Sequence, residues 1–214
     1  MKIVERHVII FLIAMYVTAI GLLIYLQFIG EERQFTVTID IEKLCTVDVD
    51  ENEWEYVVLH HSATDEGNAI RFDRYHREKR KWPEGLAYHF VIGNGKGSGN
   101  GEIEVGNRWK KQIYGAHTAN MDLNQIAIGI CLVGNFEEDN KPTNNQLESL
   151  TSLVNYVSRR YKISESNVIM HNQVNQKGTA CPGKNFPYEQ LIDRATGESE
   201  QIKHLLPECS VNAR

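Results

Sequence analysis

The chain opens with an unbroken apolar run. Val8 to Leu26 contains no charged residue, and the apolar character continues through Ile29. About 20 such residues span the hydrocarbon core of a bilayer as a helix. The run therefore predicts a transmembrane helix over residues 8–29, with residues 1–7 as a short leading segment. Lys2 and Arg6 precede it, and Glu31 and Glu32 follow. The positive-inside rule places the leading segment in the cytoplasm and the rest of the chain outside. A cleaved signal peptide is the main rival. It fits less well, because the run exceeds a usual signal core and Gln27-Phe28-Ile29-Gly30 is a poor cleavage site. A buried helix of a soluble domain would show a polar face, and this run has none.

Beyond residue 30 the pattern changes. Residues 30–53 read as a linker or N-terminal extension: Phe35–Ile41 alternates like a short strand, and Asp48–Glu53 is acidic. Tyr56-Val-Val-Leu-His60-His61 is a short β-branched run, hence a buried strand, and it ends on two histidines. Residues 69–81 read as a charged surface helix stopped by Trp82-Pro83. Leu86–Ile92 predicts a second strand. Asn94–Gly101 is a glycine-rich turn, and Glu102–Val105 completes a hairpin. Ile126–Gly134 is almost wholly apolar, as a strand covered on both faces would be. Thr143 and Gln146 have capping-box spacing. After them Leu147, Leu150, Leu153, Val154, Val157 and Tyr161 recur at three- and four-residue steps, predicting a helix over 143–161. Asn167–His171 is a short strand that again ends on a histidine. Pro187 opens a last helix to about residue 194, and 195–214 is a polar tail. The alternation predicts an α/β fold: a central mixed β-sheet flanked by helices, preceded by one N-terminal transmembrane helix.

The 214 residues suit one globular domain, and the net charge is −5. That balance disfavours a nucleic-acid partner, which calls for a basic footprint. The cations of residues 71–81 read as a solvated face, with an anionic polymer or lipid head groups as the alternative. The glycine-rich turn lacks the Gly-Lys-Ser/Thr ending of a phosphate loop. Cysteines stand at 45, 131, 181 and 209 with no Cys-x-x-Cys pair, so neither a zinc ribbon nor a thioredoxin-like motif is indicated. Cys131, inside an apolar run, reads as a core residue.

Chemistry concentrates at the strand ends. His60 or His61, then His171 and Cys181, give three nitrogen or sulfur donors. Three protein ligands plus a water is the pattern of a catalytic zinc. Such a centre polarises an amide carbonyl and lowers the pKa of its water. It also needs a donor for the developing oxyanion and a proton carrier for the leaving amine. Tyr88 and Thr179 are the candidates.

Five segments, in order, resemble one known family. They are Val-Val-Leu-His60-His61-Ser-Ala-Thr, Ala-Tyr88-His89-Phe-Val-Ile, Gly-Ala-His117-Thr118, Ile-Gly-Ile-Cys-Leu-Val-Gly-Asn135-Phe and His171…Thr179-Ala-Cys181-Pro-Gly. The chain resembles the zinc-dependent N-acetylmuramoyl-L-alanine amidases, whose fold is shared by phage lysozyme-like amidases and peptidoglycan recognition proteins. The amidase domain expected from the resemblance is residues 54–194. The resemblance implies zinc (Zn2+) held by His60, His171 and Cys181, with Tyr88 and Thr179 catalytic. Thr179 stands where phage-type members carry lysine. His117, with Thr118, corresponds to a position lining the substrate groove. His61 is a further candidate there, although a structural role suits it and His89 better. The implied reaction cuts the amide between N-acetylmuramic acid and L-alanine in peptidoglycan. Members that bind without cutting usually lack the cysteine, so its presence favours an enzyme over a receptor. A membrane-anchored phage endolysin is the other alternative. The expected form is a monomer anchored in a bacterial inner membrane and facing the cell wall. In that oxidising space Cys45 and Cys209, which flank the resembling region, are a candidate disulfide.

Overall fold

The computed structural model describes residues 15–16, 18–21, 40–175 and 178–203, with side chains described through residue 195. The chain divides into two compact units, residues 1–38 and 39–214. In the first, residues 15–16 and 18–21 are helical. Among the described residues no helix is long and apolar enough to cross a membrane. Most of the 8–29 run, and Phe35–Ile39 of the expected strand, lie outside them.

The second unit is built on a five-stranded sheet. Its strands are β1 (Tyr56–His61), β2 (Phe90–Asn94), β3 (Asn100–Val105), β4 (Ala127–Leu132) and β5 (Val168–Met170), in the order β3-β2-β4-β1-β5. β1 runs parallel to β4 and β5, β2 runs parallel to β4, and only β3 is antiparallel, closing the hairpin with β2. The sheet is thus mixed, as the alternation of strands and helices predicts. β4 is buried along its whole length, which is why it reads as an unbroken apolar run.

The helices are α1 (Ile41–Cys45), α2 (Ala69–Glu78), α3 (Asn107–Lys110), α4 (Met121–Ile126), α5 (Asn144–Tyr161), α6 (His171–Val174) and α7 (Tyr188–Lys203). Side chains alternate across a strand, and here the alternation sorts two cores. Val57 and Leu59 of β1 and Ile128, Ile130 and Leu132 of β4 pack with Leu150, Leu153 and Val157 of α5, together with Trp54 and Trp109. Val91 of β2, Cys131 of β4 and Val133 just beyond it pack with Phe72 of α2. His60 is paired with Cys131 in the parallel register, so it faces the α2 side of the sheet.

Several boundaries differ from the pattern-based expectation. Ile41 opens a short helix, with the Asp40 carboxylate accepting from Lys43 N at 3.1 Å. Residues 40–53 are more than a linker: Cys45 is buried, Trp109 Nε1 donates to the Cys45 carbonyl at 3.1 Å, and Glu51 pairs with Arg160. α2 stops at Glu78, before Lys81 takes a left-handed φ of 61° ahead of Trp82-Pro83. β2 begins at Phe90 rather than at Leu86. α7 extends to Lys203, into the stretch expected as tail.

Candidate metal centre

Three elements deliver the donor set. β1 carries His60 at its buried end, α6 opens on His171 where β5 stops, and the loop after residue 178 carries Cys181. Asn172 N donates to the Cys181 carbonyl at 2.8 Å, which ties that loop to α6. The ligating atoms of His60, His171 and Cys181 lie within 4.8 Å of one another. His60 Nδ1 and Cys181 Sγ are 3.7 Å apart. Tetrahedral zinc, with bonds of about 2.3 Å to sulfur and about 2.0–2.1 Å to nitrogen, holds such a pair about 3.6 Å apart. His171 Nε2 is buried with no hydrogen-bond partner. A buried polar atom of that kind calls for one, so the donor set fits a metal ion.

Electrostatics agree. Burial first, then His117, His171 and His61, keeps His60 neutral, well below the usual histidine range. Partial burial, then His61, lowers His171 as well. Neutral imidazole is the form that binds metal. Burial pushes the Cys181 thiol up to about 12, and only the His61 N–H, donating to Sγ at 3.3 Å, pulls the other way. A bound cation is what would turn this buried thiol into a thiolate.

The Tyr88 ring lies 5.1 Å from the His60 ring between centroids. Burial, then the Cys131 and Cys181 thiols, holds its hydroxyl protonated far above the usual range. Thr179 is half-buried, and its Oγ1 accepts from Cys181 N at 3.3 Å. A hydroxyl that accepts keeps its own proton to donate.

The family model described as N-acetylmuramoyl-L-alanine amidase matches residues 50–184. The chain belongs to the N-acetylmuramoyl-L-alanine amidase family. Among solved structures it is similar to the N-acetylmuramoyl-L-alanine amidase LysC from Clostridium intestinale URNW, at 30% identity, 68% of this chain, 87% of that one and a TM-score of 0.58. It is also similar to the bumblebee protein PGRP-SA, at 28% identity, 67% and 87% coverage and a TM-score of 0.53. A third is peptidoglycan recognition protein-LE in complex with tracheal cytotoxin, a monomeric diaminopimelic acid-type peptidoglycan, at 31% identity, 66% and 80% coverage and a TM-score of 0.53. No curated protein sequence matches the chain.

The other residues singled out for this family site have different surroundings. His61 is buried; its Nδ1 accepts from Phe136 N at 3.1 Å and its ring packs on Phe136, so its imidazole braces the loop after β4. His117, expected in the groove, is 6% exposed. Its Nδ1 lies 3.1 Å from His60 Nε2 and its Nε2 lies 3.2 Å from the Ala127 carbonyl oxygen, so neither nitrogen is free for a substrate. Thr118 is tied to α4: its N–H donates to Asn124 Oδ1 at 3.0 Å and its hydroxyl to the Asn120 carbonyl at 2.9 Å. His89 accepts from Gly129 N at 2.9 Å and continues the β2–β4 pairing. Among the described residues Cys45 has no disulfide partner, and its expected partner Cys209 lies outside them.

Two contributors escape sequence reasoning. His76 of α2 accepts from Ala87 N at 3.2 Å, and its ring lies 6.0 Å from that of Tyr88, so it helps set the segment that carries the tyrosine. The His61 backbone N–H, aimed at Cys181 sulfur, has no side-chain signature at all.

Proposed function

We propose that this chain is a zinc-dependent N-acetylmuramoyl-L-alanine amidase. It would hydrolyse the amide joining the lactyl group of N-acetylmuramic acid to the L-alanine of the peptidoglycan stem peptide. The observation that carries the reading is the 3.7 Å separation of His60 Nδ1 and Cys181 Sγ with His171 beside them. Three protein donors leave the fourth position of a tetrahedral zinc to a water.

When bound, zinc would supply a water that ionises near neutrality and a Lewis acid for the amide carbonyl. The protein's own groups do the rest. Tyr88 keeps its proton and offers it as a hydrogen bond to the carbonyl oxygen as charge develops there. Thr179 offers a second, uncharged donor beside Cys181. Hydrolysis adds hydroxyl to the lactyl carbonyl carbon and hydrogen to the alanine nitrogen, leaving a carboxyl on the sugar and a free amine on the peptide. We further propose that the Val8–Ile29 run anchors the chain in the bacterial inner membrane, domain outward, which would hold the enzyme against the wall it cuts.

The test is metal analysis of the purified protein alongside digestion of cell wall, with products identified by mass. The expected result is about one zinc per chain and release of peptides with new L-alanine amino termini. Both should be lost in His171→Ala while the circular dichroism spectrum is kept. Wall binding with no such termini would overturn the hydrolase and leave a receptor.

A further inference from the structure

His117 takes no part in the chemistry above, yet it is buried against a ligand. Both of its nitrogens have fixed partners, and together they determine where the protons sit. The Ala127 carbonyl oxygen, 3.2 Å from His117 Nε2, can only accept. His117 therefore carries its proton on Nε2. Both rings are buried, and among the described residues no carboxylate hydrogen-bonds either of them, so a charge on the pair would be buried uncompensated and both rings are neutral. His117 Nδ1 is then a bare lone pair, and it accepts from His60 Nε2–H at 3.1 Å. That leaves the other His60 nitrogen, Nδ1, with its lone pair directed to the side where Cys181 Sγ lies 3.7 Å away.

The second observation concerns room. A Cβ on Gly129 would come 2.4 Å from His117 Cδ2, and one on Gly115 would come 2.3 Å from the same atom. Gly129 lies in the interior of β4, where glycine normally weakens a strand. Here its missing side chain lets the imidazole approach the strand closely. β4 thus supplies both the clearance, at Gly129, and the acceptor, at Ala127.

We infer that His117 is a positioning residue: through the Ala127 carbonyl it sets the tautomer and ring orientation of His60, so that Nδ1 is the atom offered to zinc. This rests on the zinc reading proposed above. Partners that orient a metal-binding histidine in this way are typically worth 10–100-fold in metal affinity.

Two measurements on the full-length protein test it. In metal-free wild type, long-range proton–nitrogen NMR correlations should show His60 protonated at Nε2 and bare at Nδ1. In His117→Leu those signals should become a mixture of tautomers, and zinc affinity, read by chelator competition, should fall 10–100-fold. His117→Gln, which keeps an acceptor and a donor, should recover part of the loss. A wild-type His60 protonated at Nδ1 would overturn the inference whether or not any variant folds. So would a His117→Leu protein that binds zinc as wild type does. A wild type that binds no zinc would instead sink the functional reading, while the tautomer signal would still decide this one.

Discussion

His60 and Cys181 are separated by 121 positions, yet their donor atoms lie 3.7 Å apart. Each is unremarkable alone: a buried neutral imidazole, and a thiol that burial pushes up to about 12. Their juxtaposition, with the partnerless His171 Nε2 alongside, is what calls for a cation. Tyr88 is the neighbour whose role separates most cleanly from metal binding. Tyr88→Phe keeps the ring and removes the donor. We expect kcat to fall about 10²–10³-fold, the usual loss for one oxyanion donor, with zinc content unchanged. Kinetics on a soluble muramoyl peptide with parallel metal analysis reads both. Lost zinc, or unchanged turnover, would remove Tyr88 from the reaction.

At the scale of elements, α5 does more than cover the sheet. Thr143 Oγ1 accepts from Gln146 N at 3.1 Å, and the Gln146 side chain returns to Thr143 N, completing the capping box. The same buried amide donates to the Ile92 and Val133 carbonyls at 3.1 and 2.9 Å. One side chain therefore starts the helix and pins it to the middle of β2 and to the residue just past β4. Thr143→Ala should cost about 1 kcal/mol, or roughly 2–4 °C in Tm for a domain of this size. Thermal melts measure it, and an unchanged Tm would show that Gln146 holds the helix start without the threonine. The Thr143 and Gln146 spacing and the leucine–valine stripe make α5 legible in the sequence. The helices α1, α3, α4 and α6, of four to six residues each, are not, because so short a segment completes too little of a period. α7 outruns its expected end because the polar residues past Arg194 continue a helix already started by Pro187 and Tyr188.

For the whole molecule, histidines kept neutral by full or partial burial link stability to pH. His76 is lowered from 6.5 to about 4 by burial and then Arg80, and His89 to about 3 by burial. The unfolded chain binds these protons near pH 6.5 and the folded one does not, so stability is fully present above that pH and declines as pH falls toward about 4. Melts of chelator-treated protein between pH 7.5 and 4.5 should show Tm falling steadily, and a flat or rising Tm would contradict the linkage. The two-unit division gives the proposed membrane anchor its own test. The full chain should sediment with membranes through a high-salt wash, and a chain lacking residues 1–38 should not. A full chain freed by salt alone would mean surface adsorption instead of a span.

Much of the site was readable before any fold was known. Donor residue types at the ends of apolar runs, Val57–His61 and Val168–His171, mark candidate ligands while leaving His60 and His61 open, because a strand's periodicity and its end are local properties. The order of the central elements follows from the same local signals. What the sequence could not determine is how side chains meet across β1, β4 and the loops. His117 carries the same letters whether it lines a groove or backs a ligand. Only the tertiary structure sets its ring against Gly129, its Nε2 on the Ala127 carbonyl and its Nδ1 on His60, 57 positions away. The physical reason is reach: backbone propensity acts over a few residues, whereas a hydrogen bond between buried rings depends on the packing of every element between them.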